Sequence, residues 1–381
     1  METAPIYLAA LVLWGLCLWQ AIGFGRLGRL IRRRTKQPLR NDVPPVSVVL
    51  TCHDHAMQLQ LALPELLAQE YPTDYEIIVV DMHSTDNTKD LLEELEYEHP
   101  NLHHTQCPAT ARDISLHRLA LTLGIRAAAH DWVVLSEADC RPSGPQWLLH
   151  LMQPCTDDKD AVLGVMRYAD ERGWASRRRQ FFHLWQQMMW LPSALHSAPY
   201  RADEACLCYR RSHFLEHQGF AASASLEAGA ATLMVNRHVK QGRCDVSLHP
   251  EAFVRQELPP TRRWRQDRLF YMETRHHMTH GLPYRLRYAT ALMAQLLWPI
   301  AAITLIVLCW PNPYIAAPVG VLWAALIAVR QWQFCQTTQA LGIRPFHASL
   351  PLFLHMPLVW DLSAWLRWRV SDKKTYRKRF V

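Results

Sequence analysis

Glu76-Ile77-Ile78-Val79-Val80-Asp81 and Trp132-Val133-Val134-Leu135-Ser136-Glu137-Ala138-Asp139 decide how this chain is read. Each is a short apolar, Val- and Ile-rich run that ends in carboxylates, as a buried parallel strand does when it delivers acids at its carboxyl end. The first is followed by the turn-forming stretch His83-Ser84-Thr85-Asp86-Asn87. Ligands of open α/β sheets bind in the crevice outside the carboxyl ends of the strands, where strand order reverses. Two acidic clusters at such ends suit a nucleotide together with a hard divalent cation, which takes carboxylate and diphosphate oxygens. Working outward, Pro44-Pro45 marks the start of the unit, and Val46-Ser47-Val48-Val49-Leu50 reads as another buried strand. Helices are expected from Ala56 to Gln69, from Ser84 through Leu95, and from Asp113 to Ala129, Trp174 to Leu191 and Gly229 to Lys240. Strands alternating with helices of this length predict a doubly wound α/β sheet.

Apolar residues make up 50% of the 381 positions, unevenly spread. Ile6 to about Gly25 is nearly free of charge and close to the ~20 residues needed to span a bilayer. Only Met1, Glu2, Thr3, Ala4 and Pro5 precede it, so the basic leader of a cleavable signal is missing, whereas Arg26, Arg29, Arg32, Arg33, Arg34, Lys36 and Arg40 follow. The expectation is an N-terminal anchor with the rest of the chain starting in the cytoplasm. Tyr288 to Trp310 and Tyr314 to Val329, parted by Pro311-Asn312-Pro313, read as a transmembrane hairpin. Ala348 to Leu366 holds Pro351, His355, Pro357 and Asp361 and leads into a basic tail, Arg367 to Arg379. Crossing the membrane would put that tail outside, so the stretch reads as re-entrant or interfacial. The net charge of +7 gathers in these flanks, which argues for a membrane surface rather than nucleic acid. The ten cysteines form no CxxC pair and read as reduced thiols. The expected division is an anchor with its basic segment (1–43), a catalytic domain (44–256), a basic amphipathic linker (257–287) and a C-terminal membrane region (288–381).

In this order the residues resemble the bacterial family 2 glycosyltransferases of GT-A fold, particularly the membrane-anchored group common in Bacteroidetes. The likeness rests on Val46-Ser-Val-Val-Leu-Thr-Cys-His-Asp-His-Ala56, on Asp81, on the helix Leu119 to Ala128, on Glu137-Ala138-Asp139 with Arg141-Pro142, and on Tyr209-Arg-Arg-Ser212 with Gly219-Phe220. It implies a Rossmann-like, doubly wound mixed sheet and an enzyme that takes a nucleoside-diphosphate sugar. The acceptor it implies is lipid-linked or an envelope glycan, and transfer is inverting and non-processive at the inner (cytoplasmic) membrane. Two departures stand out. The acidic motif that supplies the base in inverting members falls on Ala230-Ala231-Thr232, and Gln266-Asp-Arg268 is followed by Leu269-Phe270 rather than completing a Gln-x-x-Arg-Trp motif. The first departure keeps a second reading open, a GT-A pseudoenzyme that scaffolds a glycan-assembly complex.

The resemblance assigns Asp139 and Glu137 to a Mg2+ or Mn2+ ion, with Glu137 in direct contact or through water. Thr51, Cys52, His53, His55, Asp81 and Glu137 are expected to line the nucleotide-sugar site, with Asp81 reading the base or ribose. As bare residues, Glu137 and Asp139 would equally suit a solvated turn, Asp81 a capping position and His55 a loop. Glu227, one helical turn before the missing motif, is the replacement base by proximity, and an exposed acid at a helix start is the alternative. Arg262, Arg263, Arg265 and Arg268 offer guanidinium groups to a diphosphate or lipid head group, or simply supply the positive-inside charge.

Overall fold

β1 (Val46–Cys52) is buried along its whole length and lies between β2 (Tyr75–Asp81) and β4 (Trp132–Glu137), parallel to both. β3 (Leu102–Gln106) extends the parallel set on the far side of β2. Beyond β4 the sheet continues with β8 (Leu207–Arg210), β6 (Ala161–Leu163) and β9 (Cys244–Val246), so the order is β3-β2-β1-β4-β8-β6-β9. β8 is antiparallel to β4 and to β6, which makes the sheet mixed. A second sheet joins β5 (Cys140–Pro142), β10 (Val254–Gln256) and β7 (Met166–Tyr168), with β10 in the middle. The computed structural model describes residues 25–108, 114–196, 198–308, 313–346 and 349–371, with single positions at 8, 11, 12, 14, 15 and 18.

The period of two along a strand sends alternate side chains to opposite faces. Val46, Val48 and Leu50 accordingly enter one core with Leu59 and Leu63 of α2 (Ala56–Leu67). Val49 enters the other, with Leu121 and Ile125 of α4 (Leu116–Ala127). Helix α3 (Thr88–Glu98) follows β2, completing the doubly wound pattern. The expected helices are present with ends shifted by a few residues; Asp113, the expected first residue of α4, lies outside the described residues. Helix α4 comes close to the sheet because Gly124 has no side chain, and a Cβ there would meet Val49 Cγ1 at 2.4 Å.

The remaining helices are α1 (Arg26–Arg34), α5 (Trp147–Met152), α6 (Trp174–Ala194), α7 (Arg211–Glu216), α8 (Ala230–His238), α9 (Thr261–His276), α10 (Leu282–Leu308), α11 (Pro313–Ala340), α12 (Leu350–Phe353) and α13 (Pro357–Val370). The expected anchor, Ile6 to Gly25, lies for the most part outside the described residues. Among those described, one helix is long and apolar enough to cross a membrane, Leu282–Val307. The two-span hairpin and a multi-pass arrangement are therefore not supported; the expected second span, Tyr314 to Val329, is simply part of α11. The stretch read as re-entrant or interfacial contains α12 and α13, and Asp361 of α13 accepts bonds from Arg268 at 3.0 Å and from the Tyr288 hydroxyl. Its acid is thus neutralised inside the protein by α9 and α10.

Overpacking a well-filled interface costs ~1–3 kcal/mol. Gly124→Val is expected to lower the thermal midpoint by several degrees without changing the secondary structure content, as a melt of the detergent-solubilised chain followed by circular dichroism would read.

Candidate active site

Strand register places the first acids. Thr51 pairs with Glu137, and Cys52 pairs with Asp81, so the end of β1 is flanked on both sides by carboxylate-bearing strand ends. β1 and β4 are also where the order reverses, which is the crevice expected of such a sheet. On the β2 side, Asp81 is 3% exposed and its Oδ1 accepts from the Ser84 amide at 3.0 Å and the Ser84 hydroxyl at 2.5 Å. The two loops that follow β1 and β2 are laced together. Asp54 accepts from the Thr85 amide at 2.6 Å, Asp86 accepts from the Ala56 amide at 3.0 Å, and His53 Nδ1 lies 2.8 Å from the Met82 carbonyl. Asp54 and His83 hold left-handed conformations with φ of 54° and 62°.

On the β4 side, Glu137 and Asp139 share one partner. The side-chain amide of Gln256, at the end of β10, donates to Glu137 Oε2 at 2.8 Å and Asp139 Oδ1 at 3.1 Å. Burial and the charges of Asp139 and Glu204 push Glu137 up to about 8. A crowded pair of hard oxygen donors with excess negative potential is the donor chemistry that a divalent cation of the Mg2+ or Mn2+ class requires. The residues therefore fit such an ion.

From this pair a cleft of about 570 Å3 opens between α8 and α9, with Glu137, Glu204, Glu227, Arg263, Asp267 and Tyr271 among its lining. His117, Arg201 and Asp203 also line it, which makes the cleft dense in charge of both signs. His117 Nε2 lies 2.5 Å from Glu204 Oε2, and its Nδ1 is 3.4 Å from the Thr51 hydroxyl. Burial works against the charge of His117, but the Glu204 carboxylate outweighs it and raises the imidazole pKa. Burial also opposes the charge of Glu204, yet His117 holds its carboxyl down at about 2. Glu204 Oε1 accepts from the Ala231 amide at 3.3 Å, so an acid borne by another segment stands at the position of the missing motif.

Glu227 is half-buried in the same cleft, on a segment fixed from beneath. Arg118, 1% exposed, donates to the carbonyls of Leu226 at 2.6 Å and Ala228 at 2.8 Å and to the Ser223 hydroxyl at 3.1 Å. Gly229 then turns the chain into α8 with φ 75°, and a Cβ there would strike Thr274 of α9 at 2.4 Å. The Glu227 carboxylate itself makes no hydrogen bond or ion pair with the described residues.

The structure brings Thr51, His55, Asp81, Glu137, Asp139, Glu227 and Arg263 to one end of the sheet. It separates others. Cys52 is fully buried, with its thiol toward Val80 and Asp81, so it shapes the strand end from inside. Arg268 pairs with Asp361 and lies 4.4 Å over the Phe182 ring, so its charge is spent within the fold. Arg262 and Arg265 are exposed on α9. An Arg-Trp pair does occur, as Arg263-Trp264, with Pro260 where the synthase motif has Gln. The stretch read as a linker is thus a wall of the cleft. Sequence reading also missed His117, Glu204 and Gln256, whose partners lie 66 to 119 positions away. The adjacent acids Asp203-Glu204 were the one local signal available.

Residues 47–214 match the model of glycosyl transferase family 2. Over 127 residues the chain is 29% identical to a chondroitin synthase of Escherichia coli, covering 33% of this chain and 18% of that protein. The chain thus spans less than a fifth of the length of the curated relative it matches. Among solved structures, the mannosyltransferase PcManGT from Pyrobaculum calidifontis, in complex with GDP-Man and Mn2+, superposes with a TM-score of 0.54 at 17% identity, over 95% of this chain and 100% of that chain. Staphylococcus aureus TarS gives a TM-score of 0.44 at 16% identity, over 85% of this chain and 54% of that chain. Residues 47–214 form a family 2 glycosyltransferase domain of GT-A fold.

The His117–Glu204 pair has a defined pH signature. The raised pKa of His117 adds stability fully present below its ordinary 6.5 and lost as pH rises through the folded value. The lowered pKa of Glu204 adds stability present above its ordinary 4.5 and lost as pH falls toward about 2. The stability difference between the parent chain and Glu204→Gln is expected to be largest between those two ordinary values and to shrink on either side, in melts recorded across pH.

Proposed function

We propose that this family 2 domain transfers a single sugar from a nucleoside-diphosphate sugar to a hydroxyl of a lipid-linked or envelope glycan, with inversion, at the cytoplasmic face of a membrane. The observation that carries the reading is the cleft itself, which joins Glu137 at the strand ends to an uncommitted carboxylate, Glu227, on the side we assign to the acceptor. The nucleotide would lie over the ends of β1 and β2, against Thr51, His53, His55 and Asp81. Glu137 and Asp139 would hold a Mg2+ or Mn2+ ion, which when bound neutralises the departing diphosphate.

Glu227 accepts the proton of the acceptor hydroxyl as its oxygen bonds to the anomeric carbon and the bond from that carbon to the diphosphate breaks. Glu204 is the weaker candidate, because a carboxyl held at about 2 by His117 accepts a proton poorly near neutrality. Arg118 positions Glu227 through the carbonyls on either side of it, without touching substrate. Arg263 supplies positive charge next to Glu137 and Asp267, and Phe270 and Tyr271 offer aromatic surface for a sugar ring. The membrane placement is supported by α10, where Leu286, Met293, Leu297, Ile300, Ile303 and Val307 are exposed along an apolar helix.

General-base assistance is worth roughly 10²–10⁴-fold. In full-length, detergent-solubilised protein, Glu227→Gln is expected to reduce nucleotide release from a donor sugar by a factor in that range. UDP or GDP affinity, measured by calorimetry with Mn2+, is expected to stay within about twofold of the parent value by the same argument. Unchanged turnover would reject Glu227 as the base. Asp139→Asn is expected to abolish the Mn2+ dependence of nucleotide binding. The scaffold reading draws on Ala230-Ala231-Thr232 and on the Gln256 amide that already bridges both acids; nucleotide binding without turnover on any donor would favour it.

A further inference from the structure

A second polar cluster lies at the opposite end of the sheet. Because β8 runs antiparallel to β4, its last residue, Arg210, pairs with Trp132, at the end of β4 remote from Glu137. Helix α7 starts there, and its His213 and Glu216 stand with His217, the residue that caps its C-terminus, at the spacing i, i+3 and i+4. One ligand atom from each of the three lies within 4.8 Å of the other two. Both imidazoles are oriented by main-chain carbonyls. His213 Nε2 is 3.3 Å from the His238 carbonyl, and His217 Nδ1 is 3.0 Å from the His213 carbonyl. With those nitrogens donating, His213 Nδ1 and His217 Nε2 carry the lone pairs. Such support of the distal nitrogen is the usual arrangement around a metal-bound histidine.

A third imidazole completes the group. The His238 ring, at the C-terminal end of α8, has its centroid 4.6 Å from that of His217, which is 4.2 Å from that of His213. The adjoining cavity of about 510 Å3 also holds arginines, but these are paired, Arg210 with Asp131 at 2.9 Å and Arg243 with Asp160 at 2.5 Å.

We propose that His213, Glu216 and His217 form a transition-metal site of the kind Zn2+ occupies, with a fourth position for water or His238. Two imidazole nitrogens and one carboxylate are a normal set of three protein ligands for Zn2+, and imidazole selects it over Mg2+. The site would fasten α7 to the far end of α8, whose first residues adjoin Glu204 in the cleft. It is independent of the transferase reading, since none of its ligands lines that cleft.

The test is titration of Zn2+ alone into the full-length chain carrying Asp139→Asn, which removes the acidic pair as a competing site. One saturable equivalent is expected, weakened at least tenfold by Glu216→Gln and lost in His213→Asn/His217→Asn. Co2+ in place of Zn2+ is expected to give the visible absorption of a low-coordinate nitrogen and oxygen site, absent from the double variant. No saturable binding in the Asp139→Asn chain, or full affinity in the histidine variant, would overturn the proposal. If that variant does not fold, the exposed Glu216 decides the matter, and unchanged Zn2+ affinity in Glu216→Gln overturns it.

Discussion

The in-register parallel pairing of β1 with both β2 and β4 is the constraint on which the site depends. A parallel ladder fixes which residues end side by side, and here it ends Asp81, Cys52, Thr51 and Glu137 at one level. A slip of one residue would turn every side chain of a strand to the other face, and both cores forbid it because each strand is buried on both sides. Carboxylates that repel one another are thereby held within reach of a common ligand by apolar packing several residues away. The second sheet adds the counterpart, since β10 delivers Gln256 to both acids of the β4 end.

The parts of this arrangement that were legible in the sequence are those encoded within a dozen residues. The runs ending at Asp81 and Glu137, the helix over Gly124 and the turn chemistry after β2 all follow from local pattern. Glu204 was not legible because its meaning depends on His117 and on Ala231, which antiparallel β8 and helix α8 bring to it. Arg268 was misread for the complementary reason. Its partner, Asp361, lies 93 positions ahead, and a buried arginine looks like any juxtamembrane one until that partner is known. Cys52 sits in a motif position, but the strand period turns its thiol inward, and only backbone and neighbouring residues are left to meet a ligand.

Charge economy explains the cleft beside the strand ends. Several acids around one cleft would be untenable without cations, and each is answered differently: Glu204 by His117, Asp203 by Arg201 at 3.5 Å, and Asp139 and Glu137 by a neutral amide. Glu227 and Asp267 make no such bond among the described residues, and Glu227 is held in place through its backbone neighbours by a buried guanidinium rather than through its own oxygens. Committing the backbone and sparing the carboxylate is what a proton acceptor requires, because every hydrogen bond to the charged form would weaken it as a base.

The lacing between the loops after β1 and β2 bears on how such a site can change over time. Asp54, Ser84, Thr85, Asp86 and Ala56 share their hydrogen bonds across two segments about thirty positions apart, around two left-handed residues. Neither loop can be redrawn alone without stranding polar groups in the other. Replacements tolerated in one are therefore conditional on the residues present in the other, and reshaping this end of the sheet would require paired substitutions. This wall of the site would evolve as one heritable unit, with strong epistasis inside it.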